Sequence, residues 1–200
     1  MIKEPFEKEP LKPIIENASQ KDVEEILAIQ SQKVITPEKE IENKKIEEEG
    51  FLVYPISAED LGKLFENKEK HIVKVARTEN KIVGYIICYD LEEWKLAHTD
   101  WLSSLDVADE DKAFLKSKKI LYGRHIAVDV AGASVGAGLL DVTFQEAVSR
   151  GYECFVVEIL KEPIENKRST GFVQKEGFRQ VGQLTDKNNR VWSLFVKDLT

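Results

Sequence analysis

The chain has 200 residues, of which 42% are hydrophobic and 32% charged, and carries a net charge of −7. That length and apolar content can build one sizeable core, and the acidic balance disfavours nucleic acid or an anionic membrane as partner, because phosphates attract basic faces. No apolar run approaches membrane-spanning length, and the opening MIKEPFEKEPLKP lacks the apolar centre of a signal peptide, so a cytoplasmic protein is expected.

In chain order, residues 1–13 read as an N-terminal arm and 14–200 as a single domain. A short strand at PIIENA precedes a helix carrying Val23, Ile26, Leu27 and Gln30, with Ser19 or Asp22 as its cap. Thr36-Pro37 predicts the start of a second, solvated helix, EKEIENKKIEEE, anchored only by Ile41 and Ile46. Ser57 opens a further helix with Leu61, Leu64 and Phe65 facing inward. The β-branched and aromatic runs HIVKVA and IVGYIICY flank Glu79-Asn80-Lys81 and predict a hairpin. Each cysteine, Cys88 and Cys154, lies in an apolar strand-like run. Both are read as buried thiols, and the spacing offers neither a disulfide framework nor a metal site.

Residues 91–119 interrupt the strands. This insertion carries Trp94 and Trp101, ends in a charged helical segment at 106–119, and has either of two roles: a surface excursion or a substrate wall. The stretch 120–152 follows, with a strand, the small-residue turn AGASVGAG, an amphipathic helix ending at Arg150-Gly151, and the start of a second strand. In the first strand Ile126 and Val128 share one face, while His125, Ala127 and Asp129 point to the other. The near-continuous apolar run CFVVEIL implies a strand covered on both faces, parallel to the one before. A short helix in NKRSTGFVQKEGF, stopped by Gly177, and an antiparallel hairpin over 178–199 close the chain. The fold class is α/β (α+β), one domain with a mixed sheet.

A strand feeding a small-residue turn that opens a helix is suited to phosphate, since the free N–H groups and the dipole of a helix N-terminus both favour an anion. On the order of its elements, the chain resembles the GNAT superfamily of N-acetyltransferases. Asn166, Ser169, Phe172, Lys175, Gly177 and Phe178 fall at the spacing of the family's second block, N-x-x-A/S-x-x-F/L-Y/H-E-K-x-G-F. Ile126-Ala127-Val128-Asp129 resembles the end of its fourth strand, and Gly151-Tyr152 leads into a run like its fifth. The family's turn signature is Q/R-x-x-G-x-G/A. Here Ala131 stands at the Gln/Arg position, Ser134 at the first glycine, and Val173 where many members carry a tyrosine that acts as general acid.

The resemblance implies a central mixed, largely antiparallel sheet whose fourth and fifth strands splay, helices on both faces, and 91–119 inserted between the third and fourth strands. It implies acetyl-CoA as acyl donor, bound by Ile126, Ala127, Val128, Ala131, Gly132, Ala133, Ser134, Val135, Gly136, Ala137, Gly138, Asn166 and Ser169. The acceptor would be a primary amine of a small molecule or peptide, attacking directly in a ternary complex. His125 is the candidate base, with Glu92, Glu93, His98 and Glu158 as weaker ones. The alternative is a catalytically weak or inactive GNAT-fold module that binds CoA as a sensor or interaction partner. A homodimer stays open.

Overall fold

Runs of Val, Ile and aromatic residues supply eight strands that pair edge to edge, because such side chains pack well on a pleated surface. The computed structural model describes residues 12–92, 101–129 and 133–200. In chain order the strands are β1 (Ile14–Asn17), β2 (His71–Thr78), β3 (Lys81–Asp90), β4 (Leu105–Val107), β5 (Ile120–Val128), β6 (Cys154–Glu162), β7 (Arg179–Thr185) and β8 (Val191–Asp198). Their spatial order is β1-β2-β3-β5-β6-β8-β7-β4. Every neighbouring pair is antiparallel except β5 and β6, which run parallel across the helical connection foreseen in the sequence.

The helices are α1 (Val23–Lys33), α2 (Lys44–Glu49), α3 (Ala58–Glu66), α4 (Trp101–Ser104), α5 (Asp109–Ser117), α6 (Ala133–Ser149) and α7 (Lys167–Lys175). Leu139 and Leu140 of α6 and Val173 of α7 pack on one sheet face, against Ile86, Leu121 and Phe155. Val23 and Ile26 of α1 and Leu61 and Leu64 of α3 cover the opposite face over Val75, Tyr85 and Ile87. Trp101 and Leu115 extend that second layer over Tyr122, Val156 and Leu194. Period-2 alternation thus sends neighbouring residues such as Leu121 and Tyr122 into separate cores. Both cysteines are buried and free.

Two sequence expectations need correction. The helix expected from Thr36 is broken into a 3₁₀ turn at Pro37–Lys39 and the short α2. Its apolar positions are too sparse to hold one continuous helix against the body, and Ile41 remains 52% exposed. The helix expected over 106–119 starts only at Asp109, because Asp106 belongs to β4. β4 pairs with β7 at the sheet edge, so the described part of the insertion adds a strand as well as a wall. The two strands expected to splay, fourth and fifth in the family's order, are therefore β5 and β6 here. The rest of the insertion, 93–100, and positions 1–11 of the N-terminal arm lie outside the described residues.

β5 and β6 stay together only briefly. Ile120–Gly123 pair with Cys154–Val157, and beyond that point β6 pairs only with β8 and β5 only with β3. Gly123 marks the last joined rung. A Cβ there would lie 2.6 Å from Cε1 of Phe155 and 2.8 Å from Cγ1 of Val157, so only glycine lets β5 pass so close. The next residue is a bulge: Cys88 faces Gly123 and Ile87 faces His125, leaving Arg124 as the extra residue. A bulge bends its strand and increases the local twist, which here turns β5 away from β6.

Candidate active site

Where the strands part, a cavity of about 1010 Å³ passes between them. Its walls come from β5, β6, α4, α7, the segment before α3, and the β7–β8 turn. Backbone groups on one edge of the gap lack a strand neighbour. The amide of Asp129 donates to the Val83 carbonyl of β3 at 2.9 Å. Because backbone groups alternate sides along a strand, Ala127 also turns its amide and carbonyl to β3, and Ile126 and Val128 turn theirs into the gap. Ile126 and Val128 can therefore bond an extended ligand lying along the gap. Ala127 cannot, and its side chain packs in the core beneath α1 and α3.

α6 begins just beyond the end of β5, so the strand–turn–helix pattern holds. Ala131 and Gly132, at the centre of the small-residue turn, lie outside the described residues. Ala133, Ser134 and Val135 form the first turn of α6, where amides have no partner within the helix. Gly136, Ala137 and Gly138 lie farther along, and their amides belong to the helix ladder. A cofactor would meet these three through close approach to the helix backbone rather than through free amides. The two glycines also have a packing reason: a Cβ on Gly136 would stand 3.2 Å from Phe172 of α7, and one on Gly138 would stand 3.0 Å from Ile15 of β1.

The family-like block has a structural use as well. The Asn166 side chain caps α7 by accepting from the Ser169 amide at 3.1 Å, and it donates to the Phe51 carbonyl at 2.9 Å. It is buried, and both ends of its amide are engaged. Asn166 and Ser169 line the cavity with Phe172 and Val173. Val173 is buried and offers no proton.

Opposite α6 and α7 the cavity widens into a polar, aromatic chamber. His125 lies there with only 5% of its surface exposed. Its Nε2 is 2.7 Å from the Tyr54 carbonyl, which can only accept, so Nε2 carries the proton. Nδ1 is enclosed and without a partner. Burial, and then the neighbouring Arg124 charge, push its pKa down to about 3. A ring that stays neutral and keeps its lone pair sealed from the cavity cannot collect a proton near neutrality, and His125 is set aside as the base.

Glu158 is the better placed acid. It follows the last joined rung of β6 and lines the chamber, where Oε1 accepts from Trp101 Nε1 and Oε2 accepts from the Tyr122 hydroxyl at 3.0 Å. Burial raises its pKa above the usual glutamate range, and the two donors and the Arg124 charge oppose that rise. Of the other acids and bases considered, Glu92 is exposed beyond β3, while Glu93 and His98 lie outside the described residues. Trp101 of the insertion does form part of the wall, whereas Trp94 lies outside the described residues.

Sequence reasoning missed the remaining lining groups. Tyr54 stacks on Trp192 with ring centroids 5.6 Å apart and donates to Asp186 at 2.6 Å. Trp192 Nε1 donates to the same carboxylate at 3.0 Å. Burial opposes ionisation of Asp186, but the hydrogen bonds from Tyr54 and from the turn outweigh it and hold its pKa below the usual range. The turn DKNNR was visible in the sequence. Its return to Tyr54, 132 residues away, was not.

No protein-family model matches the chain, and no curated protein matches it. Solved structures do. An N-acetyltransferase from Staphylococcus aureus Mu50 is 19% identical, with a TM-score of 0.62 over 95% of this chain and 100% of that one. A ribosomal-protein-alanine N-acetyltransferase from Brucella melitensis is 19% identical, with a TM-score of 0.59 over 92% and 99%. An acetyltransferase-like protein from Salmonella typhimurium, solved with acetyl-CoA, is 14% identical, with a TM-score of 0.61 over 95% and 95%. The chain has the GNAT fold of these N-acetyltransferases.

Proposed function

We propose that the protein is an acetyl-CoA-dependent N-acetyltransferase acting on a primary amine. The observation that carries this reading is the parting of β5 and β6 at the Arg124 bulge, which leaves the outward backbone of Ile126 and Val128 without a strand partner and brings Ile126 to the wall of a through-sheet cavity. A thioester arm suits such a gap, because its amides can add to the open edge of β5 as a strand would. The first turn of α6 would meet the pyrophosphate, with Ala133, Ser134 and Val135 contributing backbone amides that require no particular side chain. The reacting carbonyl would then stand between the two sheet faces, with the acceptor reaching it from the aromatic chamber.

Each residue's part follows from that placement. Glu158, ionised, takes a proton from the acceptor's ammonium group, and the freed amine nitrogen attacks the thioester carbon. A backbone N–H of the open β5 edge donates to the oxygen that gains charge, which is the large electrostatic contribution in acyl transfer. The carbon–sulfur bond then breaks, the nitrogen gives up its second proton to water, and water returns a proton to the sulfur, since Val173 has none to give. Holding amine and thioester together supplies much of the remaining acceleration. A raised pKa suits Glu158 to this work, because a base titrating nearer neutrality accepts a proton more readily.

Val173 also favours a second reading, in which the site binds CoA without efficient transfer. Calorimetric titration with acetyl-CoA followed by an amine panel read through thiol release separates the two. Binding with release of free thiol supports the transferase. Binding without release from any amine supports the sensor, and no binding at millimolar acetyl-CoA removes both.

A further inference from the structure

Arg124 is the one chamber cation placed at the bulge where the strands part, and the acyl-transfer chemistry described above does not use it. Its Nη2 donates to the Tyr54 carbonyl at 3.2 Å, and the guanidinium carbon lies 5.5 Å from the Tyr54 ring centroid. The Tyr89 side chain is a further partner, and together these contacts hold the group in the wall while leaving N–H donors to spare among its five. Arg77, Arg150, Arg179 and Arg190 each pair with a carboxylate. Arg124 pairs with none among the described residues, although Asp60, Glu158 and Asp186 line the same cavity.

Each of those three acids makes its hydrogen bonds with other groups. Asp186 accepts from Tyr54 and Trp192 on one oxygen and from the amides of Asn188 and Arg190 on the other. Glu158 accepts from Trp101 and Tyr122. Asp60 accepts from the Ser57 hydroxyl at the start of α3 and from Lys63. The Glu158 charge reaches the guanidinium without bonding to it, so Arg124 is held in place with no carboxylate in direct contact, and its open N–H groups can take an anion.

The anion's identity is narrowed by its surroundings. Arg124 lies on the face opposite α6, so the phosphates of an acyl donor seated at the α6 N-terminus are on the other side of the sheet. Arg124 precedes Ile126 by two residues, about 7 Å along the strand, so the anion sits only a few bonds from the reacting amine. Glu158 shares the chamber and would repel a phosphate dianion more strongly than a monoanion.

We propose that the acceptor is an amino carboxylate, a small molecule with a primary amine and a carboxylate a few bonds apart, and that Arg124 binds its carboxylate. The assignment of the amine rests on the acetyl-transfer reading. The carboxylate site stands without it.

The test titrates the protein, without acetyl-CoA, against the proteinogenic L-amino acids, β-alanine and γ-aminobutyrate, each beside its own carboxamide. At least one acid should bind roughly 10- to 100-fold more tightly than its amide, the worth of a charge-assisted pair. Arg124→Gln should bring that acid down to the level of its amide and leave the amide unchanged; His125 still reaches the Tyr54 carbonyl in this variant. The acid–amide comparison on the unaltered protein needs no variant to fold. Equal binding of acids and amides, equal weakening of both by Arg124→Gln, or binding of no acid in the panel overturns the proposal. Turnover is then followed with acetyl-CoA. Transfer to amides as readily as to acids removes the Arg124 site and keeps the transferase. Acid binding through Arg124 without any use of acetyl-CoA keeps the site and removes the transferase.

Discussion

Replacing Glu158 with glutamine separates its charge from its shape. The wild-type carboxylate accepts from Trp101 on one oxygen and from Tyr122 on the other. Glutamine can meet both partners: its carbonyl accepts from the indole, and its NH₂ donates to the phenol oxygen, which can turn to accept. No buried polar group is stranded, so the variant should fold. Its stability is expected to hold or rise at neutral pH. Burial raises the folded-state pKa of Glu158, so its contribution is full when protonated below the unfolded value and is lost as pH climbs through the folded value. An uncharged side chain avoids that loss. Turnover should move in the opposite direction, because removing a positioned general base costs about 10²- to 10⁴-fold. The unaltered enzyme should also show kcat/KM rising with pH through the Glu158 ionisation, a limb that Glu158→Gln lacks. Thermal melts and a thiol-release assay across pH provide both readouts. Unaltered turnover in a folded Glu158→Gln protein would refute the assignment, and so would a pH limb that survives the substitution.

Two further outcomes follow from neighbouring groups. His125 is held neutral with a pKa of about 3, so the folded protein binds fewer protons than the unfolded chain between that value and the ordinary 6.5. Its stability contribution is full above 6.5 and falls as pH drops, by about 1.4 kcal/mol per unit; urea melts at pH 7 and 5 should show a smaller loss in His125→Gln, and turnover at pH 8 should stay within about tenfold. Asn166→Asp keeps the acceptor for the Ser169 amide but cannot donate to the Phe51 carbonyl, whereas Asn166→Ala loses both. Alanine should therefore cost about 2–4 kcal/mol in chemical denaturation, the sum of a lost cap and a buried unpaired carbonyl, and aspartate less. A large loss of acetyl-CoA affinity at unchanged stability in either variant would instead favour direct binding by Asn166.

The elements that could be read from sequence are those whose signals are local. The alternation in HIVKVA and IVGYIICY, the Ser57 cap and the glycine stops at Gly151 and Gly177 each depend on a few adjacent residues, and β2, β3, α3, α6 and α7 form accordingly. The acidic segment after Thr36 had a cap signal but too little apolar surface, and local propensity without burial did not carry a helix through it. AGASVGAG shows the same limit at the site. Its small residues were read together as a phosphate cradle, yet Phe172 and Ile15 also approach α6 at Gly136 and Gly138. Small residues mark close approach, and sequence alone does not say whether a ligand or another part of the chain approaches.

The chamber depends on relations that no window of sequence contains. The one-residue bulge at Arg124 is defined by β3, and it is this shift that brings Arg124 and His125 to the same Tyr54 carbonyl. Without the bulge, strict alternation would put the two side chains on opposite faces. A histidine beside an open gap reads as a base from sequence, and the carbonyl that fixes its tautomer lies 71 residues away. Glu158, by contrast, reads from sequence only as a weaker candidate base, the one charge in a buried strand. A charge in such a run is costly unless it is partnered or used. Trp101 and Tyr122 partner it, and it also lines the gap, so the residue that fits the strand least well has the strongest physical case for chemistry.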